Sequence, residues 1–204
     1  MFFHVLVEGL SDVPTVREIM CRRIGVTEGT HFRIHPHKGK GALPVAMKAI
    51  PDLSLLGQLP ATLRAYAQKG QDHCIVVLVD ADRDDCKALK RSLVSMWKKL
   101  DPKPRKVLFR IAIEEMESWF IADPAAISAA YPHANTAQIS TITPDAVVGA
   151  WEELARSVGM NPDKCSGADK EEWAIAISPH LDLKSPKSPS LAAFVGGIEN
   201  HWSC

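Results

Sequence analysis

The stretch Cys74-Ile75-Val76-Val77-Leu78-Val79, followed by Asp80, is the strongest predicted β-strand in the chain. It is uncharged and rich in β-branched residues, which is typical of a strand buried on both faces of a sheet. Residues 3–7 form a similar apolar run that ends at Glu8, and residues 107–113 form another. A more exposed strand is predicted over residues 31–36. These four strands define the fold class.

Helical patterns separate the predicted strands. Apolar residues recur at helical spacing after the first strand, where Ser11 is a candidate N-cap, and again across residues 84–100. Residues 42–69 predict helical pieces that are broken at Pro51 and Pro60. Strands that alternate with helices predict βαβ units, so we expect an α/β fold with a mostly parallel sheet.

The pattern changes after Pro124. Strand signals disappear, and helices are predicted near residues 144–158, 169–180 and 190–200. We therefore expect an α/β domain over residues 1–123 and a helical C-terminal extension over residues 124–204 that packs on it.

Composition excludes several classes of protein. No apolar run reaches the roughly 20 residues that a transmembrane helix needs, and the apolar start is better explained as a strand than as a signal peptide. The five cysteines are scattered, which favours a reducing cytoplasm over a disulfide framework. His35 and His37 are two residues apart, so on a strand both would lie on one face, as a pair of zinc ligands would. No neighbouring Cys or His in the sequence completes a zinc site.

Basic residues are concentrated in one segment although the net charge is zero. Between Lys87 and Arg110 there are nine basic residues and a single acid, Asp101. Such a block is either the solvated face of a helix or a surface that attracts phosphate groups. The sequence leaves both interpretations open.

Acidic residues follow three of the predicted strands: Glu8, then Asp80, Asp82, Asp84 and Asp85, then Glu114, Glu115 and Glu117. The carboxyl ends of parallel strands meet at one edge of a sheet, so these side chains are expected to converge. Crowded carboxylates repel one another unless protons or cations neutralise them, and such hard oxygen ligands suit Mg²⁺ or Mn²⁺. The alternative is that the acids are ordinary helix caps and first-turn residues.

Several short motifs resemble one family. The motifs are Val7-Glu8-Gly9-Leu10-Ser11-Asp12, Val79-Asp80-Ala81-Asp82, residues 115–123 (EMESWFIAD), residues 170–174 (KEEWA) and residues 178–181 (SPHL). Together they are similar to the DUF4276 family of Toprim-like proteins, which is related to the Toprim domain of OLD-family nucleases. The resemblance implies a Toprim-like Rossmannoid fold, with a mostly parallel sheet flanked by helices.

The resemblance also implies roles for individual residues. It implies that Glu8 is a metal ligand or general base and that Asp80 and Asp82 are metal ligands. Glu115 or Glu117 helps to hold a second Mg²⁺ or Mn²⁺, and Glu117 counts with Glu8, Asp80 and Asp82 among the candidate catalytic residues. Helical spacing does not decide which of Glu114, Glu115 and Glu117 points inward.

Four further residues are candidates for the site. Asp12 is either an additional ligand or a first-turn acid that complements the helix dipole. Gly9, Lys38 and Lys40 are candidate contacts to phosphate, because Gly/Lys loops offer backbone N–H groups and ammonium groups.

The expected activity is metal-dependent cleavage of phosphodiester bonds in nucleic acid, DNA in particular, within a defence or repair system. The alternative is a Toprim-like module that binds metal and nucleic acid without cutting. The sequence contains no GxxxxGK[ST] motif. OLD-family nucleases carry an ATPase beside the Toprim domain. The resemblance therefore implies that an ATPase partner is supplied by a separate polypeptide.

Overall fold

The computed structural model describes residues 1–45, 51 and 53–202. Its strands are β1 Phe2–Val7, β2 Phe32–Pro36, β3 His73–Asp80 and β4 Val107–Ala112. Its α-helices are α1 Asp12–Glu18, α2 Leu55–Tyr66, α3 Cys86–Lys99, α4 Glu117–Ile121, α5 Pro124–Ala130, α6 Ala150–Ser157, α7 Gly167–Ile177 and α8 Pro189–Trp202. None of these helices is long and apolar enough to cross a membrane.

The four strands form one parallel sheet in the order β2-β1-β3-β4. Leu6 of β1 lies opposite Val77 of β3, and Asp80 of β3 lies opposite Ala112 of β4. The carboxyl ends of the strands therefore share one edge, where parallel sheets commonly bind ligands. The predicted α/β class and the parallel sheet are confirmed.

Helices cover both faces of the sheet. Alternate strand residues such as Leu6 and Val77 pack with Leu59 of α2 and Leu93 of α3. The opposite residues, including Val76, join a larger core with α1, α7 and α8. Burial on both faces explains why β1 and β3 are continuous apolar runs.

The C-terminal helices share that larger core. Trp119 of α4 donates a hydrogen bond from Nε1 to Ser190 Oγ of α8 at 2.8 Å, and both residues are buried. Arg110 of β4 donates from Nε to the carbonyl oxygen of Ala193 at 2.7 Å. These contacts join the helices after residue 124 to the sheet. The division into an α/β domain over residues 1–123 and a helical extension over residues 124–204 remains a proposal.

Several local predictions were wrong. Ser11 makes no side-chain cap bond to α1, and the helix continues as a π-helical segment, Ile19–Ile24, before Gly25 adopts a positive φ of 76°. Pro60 lies inside α2 without ending it, because tertiary burial outweighs the loss of one helical hydrogen bond. Of the helical pieces predicted over residues 42–69, residues 46–50 and 52 lie outside the described residues.

A cluster of histidines lies on the sheet face that α2 covers. His4 is 8% exposed, and its Nδ1 lies 3.3 Å from Nε2 of His35 while its Nε2 lies 3.0 Å from Nδ1 of His73. Burial, together with the positive charges of His35, His73, Lys69 and Arg33, lowers the pKa of His4 to about 4. The folded protein therefore favours the neutral imidazole.

We expect the contribution of His4 to stability to fall as the pH is lowered from 6.5 towards 4, whereas buried acids with a raised pKa, such as Glu8, act in the opposite direction. In the unfolded chain His4 takes up a proton near its ordinary pKa of 6.5, whereas in the folded chain it does so near 4. The stabilisation is complete above pH 6.5 and is lost below it, by at most about 3 kcal/mol. Urea unfolding between pH 7 and pH 4 measures this loss. The free energy of unfolding of the wild type minus that of His4→Asn isolates the His4 contribution and should decrease from pH 7 to pH 4. The corresponding difference for His133→Asn, at an exposed position, should stay constant.

Candidate functional site

A hydrogen bond joins the carboxyl ends of the two central strands. Glu8 Oε1, directly after β1, accepts from the backbone N–H of Asp80 at 2.8 Å. Burial, together with the charges of Asp12 and Asp82, raises the pKa of Glu8 to about 8, although this N–H favours the carboxylate. Glu8 is thus held within a group of acids at the sheet edge.

Asp80 is the point where the acids meet. Burial raises its pKa well above the usual range, and the charges of Glu8, Asp12, Glu117 and Glu115 add to this rise. We call these five residues the carboxylate cluster. They come from the ends of β1 and β3, from the first turn of α1, and from the start of α4 and the residues before it.

Asp12 is an acid whose role the sequence left open. Its Oδ2 accepts from the backbone N–H of Gly9 at 3.0 Å, and its Oδ1 accepts from Ser11 Oγ at 3.4 Å. Asp12 lies in the first turn of α1 and is buried. Burial raises its pKa to about 6, and Glu117 contributes to the rise. It is a first-turn acid that also faces the cluster.

Lys170 of α7 neutralises part of the cluster. Its Nζ lies 3.5 Å from Oε1 of Glu115 and 3.5 Å from Oε1 of Glu117. Burial disfavours the ammonium form of Lys170, but Glu117, Glu115 and Asp80 outweigh that effect and raise its pKa. Burial raises the pKa of Glu115 to about 7 and also that of Glu117, even though Lys170 opposes both shifts.

The cluster has the chemistry of a site for a hard cation. Lys170 pairs with only two of the five carboxyl groups, and Glu115 Oε2 is buried with no hydrogen-bond partner. Carboxylate oxygens are the ligands that Mg²⁺ and Mn²⁺ prefer, so the residues fit such an ion. Within the described ranges, no group of three or more His, Cys, Asp or Glu residues is arranged to hold a metal ion as it stands. Side-chain movements would have to bring the oxygens together.

Asp82 lies beside the cluster and is paired with Lys40. Lys40 Nζ donates to Asp82 Oδ2 at 2.9 Å, to Asp84 Oδ2 at 2.8 Å and to the carbonyl oxygen of Ala81 at 3.0 Å. Asp82 has a positive φ of 50°, which is rare for a residue with a side chain, and its N–H donates to the carbonyl oxygen of Glu114 at 2.7 Å. These bonds fix the loop after β3 against the loop after β4.

Two other acids of the predicted site serve as caps. Glu114 accepts from the backbone N–H of Gly149 at 2.6 Å and from that of Ala150 at 3.1 Å, at the start of α6. Asp85 accepts from the N–H of Ala88 at 2.6 Å and caps α3. Of the three glutamates after β4, the structure therefore brings Glu115 and Glu117 into the cluster and directs Glu114 to a helix.

The chain was compared with known families and structures. A family model described as a domain of unknown function (DUF4276) matches residues 7–199. The chain belongs to the DUF4276 family. No curated protein matches it. Among solved structures it is similar to the C-terminal region of the Burkholderia pseudomallei OLD protein, with a TM-score of 0.53 and 13% identity over 98% of this chain and 97% of that chain. At this identity the likeness concerns the fold, and it confirms the expected Toprim-like α/β fold.

The predicted phosphate-binding groups of this DUF4276 protein differ in whether other residues already bind them. Lys38 is exposed, whereas Lys40 is held by Asp82 and Asp84. The N–H of Gly9 is already bonded to Asp12. The loop that carries both lysines is anchored beside the site, because the N–H of Gly39 donates to the carbonyl oxygen of Glu8 at 2.8 Å.

Five of the nine basic residues of the DUF4276 chain's basic segment lie on an exposed face of α3. Helix α3 begins at Cys86, directly after the loop that carries Asp82, so this face starts beside the site. It borders a groove of about 720 Å³, and the lining residues are Lys87, Lys90, Arg91, Val94, Ser95, Lys98 and Lys99.

Sequence reasoning did not assign Lys170 to the site. The residue lies about 90 positions after Asp80, in a helix predicted as part of the C-terminal extension. Its only signal was its presence in the KEEWA motif, which indicated the family without a role for the lysine. The contacts of His4 with His35 on one side and His73 on the other were also missed, because three separate strands supply these residues.

Replacing Lys170 with methionine should destabilise the metal-free protein. The variant keeps most of the apolar stem but leaves Glu115 and Glu117 without their cation, and breaking a partly buried ion pair costs about 3 kcal/mol. Urea unfolding in the presence of EDTA measures the change. Lys164→Met, the same substitution at an exposed position, should change stability by less than about 0.5 kcal/mol. Equal effects of the two substitutions would show that Lys170 does not neutralise the cluster.

Proposed function

We propose that this protein is a divalent-metal-dependent nuclease that hydrolyses phosphodiester bonds of nucleic acid. The observation that carries the proposal is the carboxylate cluster: five acids gather at the carboxyl edge of a parallel sheet, and Lys170 pairs with only two of them. Keeping so many acids buried together costs stability, which is typical of functional sites. The Toprim-like fold is in accord with this assignment.

Mg²⁺ or Mn²⁺ is the proposed cofactor. Glu8, Asp80, Asp12, Glu115 and Glu117 would hold it, and Asp82 would join them on release from Lys40. A bound divalent ion would activate water and stabilise the charge on the phosphate. Glu115 is well prepared for this role, since its Oε2 has no other partner.

The protein's own cations would position the phosphate. Lys170 is the group that we expect to face a phosphate oxygen, because its ammonium already lies within the cluster. Lys38 is exposed on the loop anchored to Glu8 and would bind an adjacent phosphate, with Gly9 and Lys40 at the edge of the same site. Glu8 would act as a ligand or as the base that accepts a proton from water.

Nucleic acid, DNA in particular, is the proposed substrate. The exposed basic face of α3 starts beside the carboxylate cluster and continues along the groove of about 720 Å³. A row of lysines and arginines binds phosphates without reading sequence, because the attraction arises from charge and the release of counterions. The proposed compartment is the cytoplasm, where the four described cysteines, all free, would stay reduced.

A binding module without catalysis is the second candidate. Lys170 already contacts Glu115 and Glu117, and the described part of the chain holds no preformed set of three metal ligands. In that case the protein would present nucleic acid or metal to an ATPase on a separate polypeptide. Such a partner is also compatible with the nuclease.

Purified protein with Mn²⁺ should nick or linearise a supercoiled plasmid. Asp80→Ala should reduce the rate more than about 100-fold, because losing a direct ligand exceeds the loss from removing an outer-shell group. Asp163→Ala removes an exposed acid outside the cluster and should retain the wild-type rate. Agarose gels follow the cleavage, and circular dichroism shows that each variant is folded.

The outcomes of this assay separate the two candidates. Full cleavage by Asp80→Ala would rule out the carboxylate cluster as the catalytic site. If the wild-type protein binds plasmid and Mn²⁺ but leaves the plasmid intact, the binding module is correct. Calorimetric titration with Mn²⁺ supplies the metal-binding measurement.

The α3 surface predicts a salt-dependent affinity for DNA. The double substitution Lys90→Gln and Arg91→Gln should weaken binding equally for unrelated sequences and lower the salt slope by about 1 per charge that contacts phosphate. Fluorescence anisotropy at several salt concentrations measures the slope. The control, Lys164→Gln with Lys184→Gln, removes two exposed charges elsewhere. An unchanged slope in the α3 variant would favour the solvated-face interpretation.

A further inference from the structure

A second pocket lies on the α2 face of the sheet, towards the opposite end of the strands from the carboxylate cluster. Its volume is about 340 Å³, within the range of small-molecule sites. The principal lining residues are Phe2, His4, Arg33, His35, Tyr66 and Lys69. His4 precedes Glu8 by four residues of extended chain, so the pocket lies roughly 13 Å from the cluster.

The charged side chains that line the pocket are basic. Arg33 and Lys69 are exposed at its rim, and none of the described lining residues is acidic. The ion pairs found among the described residues include neither of these two side chains. In a chain with zero net charge, two unpaired cations around one cavity attract an anion.

The floor of the pocket is a connected polar network. His4 is nine-tenths buried and bonds to His35 and His73 through its two ring nitrogens. Tyr66 OH lies 3.3 Å from the same Nε2 of His35. These bonds hold the imidazole and phenol groups in place, so the pocket is organised before any ligand enters it.

Aromatic rings complete the pocket. The ring centroid of His4 lies 4.9 Å from that of Phe2 and 4.4 Å from that of Tyr66. Flat rings of this kind stack on a base, while an arginine offers paired N–H groups that match phosphate oxygens. The combination of aromatic walls with a cationic rim is suited to a ligand that has both parts.

We propose that this pocket binds a phosphomonoester of mononucleotide size, with Arg33 and Lys69 on the phosphate and Phe2 and Tyr66 beside the base. The ligand is either a free nucleotide or the phosphorylated end of a nucleic-acid strand. The proposal does not depend on the carboxylate cluster or on its activity.

Calorimetric titration of the full-length protein tests the proposal with defined probes. AMP should bind saturably, inorganic phosphate more weakly, and adenosine without measurable affinity. The double substitution Arg33→Gln and Lys69→Gln should weaken AMP binding at least about tenfold, because it removes both charged contacts. The control, Lys164→Gln with Lys184→Gln, removes the same charge elsewhere and should retain wild-type affinity.

Further measurements distinguish a free nucleotide from a phosphorylated strand end and check that binding occurs in the pocket beside His4. A 5′-phosphorylated oligonucleotide that binds more tightly than its unphosphorylated form, with the difference lost in the Arg33/Lys69 variant, identifies a strand end. AMP binding alone identifies a free nucleotide. Tyr66→Phe, which removes only the hydroxyl contact to His35, should weaken the preferred probe less than the double substitution. Asp80→Ala should leave this affinity unchanged, so failure of the nuclease proposal does not affect the result.

Three outcomes would overturn the proposal. The first is no saturable binding of either phosphorylated probe, and the second is equal binding of AMP and adenosine. The third is equal weakening by the Arg33/Lys69 variant and its control, which would indicate a general charge effect.

Discussion

The mutual repulsion of buried carboxylates is the constraint on which the rest of this structure depends. A parallel sheet brings the carboxyl ends of its strands to one edge, and this chain places acids at the ends of β1 and β3. The Glu8–Asp80 backbone bond holds them side by side instead of allowing them to separate. Protons or cations must supply the compensation, and Lys170 supplies one positive charge.

That compensation makes the C-terminal helices part of the site. Lys170 lies on α7, which packs on α1, so the sheet domain alone would leave Glu115 and Glu117 without their cation. The bonds from Trp119 to Ser190 and from Arg110 to the Ala193 carbonyl hold α8 on the same face. The helices after Pro124 therefore influence the electrostatics of a site whose acids all precede them.

The two ends of the sheet have opposite chemistry. The carboxyl edge gathers acids, whereas the pocket beside His4 gathers histidines, Arg33 and Lys69 without an acid. Zero net charge conceals this separation, because the sum over the chain contains no information about position. The described residues of α3 add a third charged region, which begins beside the acids and is basic throughout.

The sequence by itself determined where the strands lie along the chain, that they form a parallel sheet, and which acids follow them. These features depend on local apolar runs, on the helices between them and on the residues directly after each run. Cys74–Val79 and residues 3–7 predicted β3 and β1 closely. The helix break predicted at Pro60 was wrong, because burial outweighed the tendency of proline to end a helix. Tertiary structure alone decided that Glu114 caps α6, that Lys40 pairs with Asp82 and that Lys170 enters the cluster. It also brought His4, His35 and His73 together. These contacts join residues from different elements, up to 69 positions apart, and no local pattern encodes which side chains will meet.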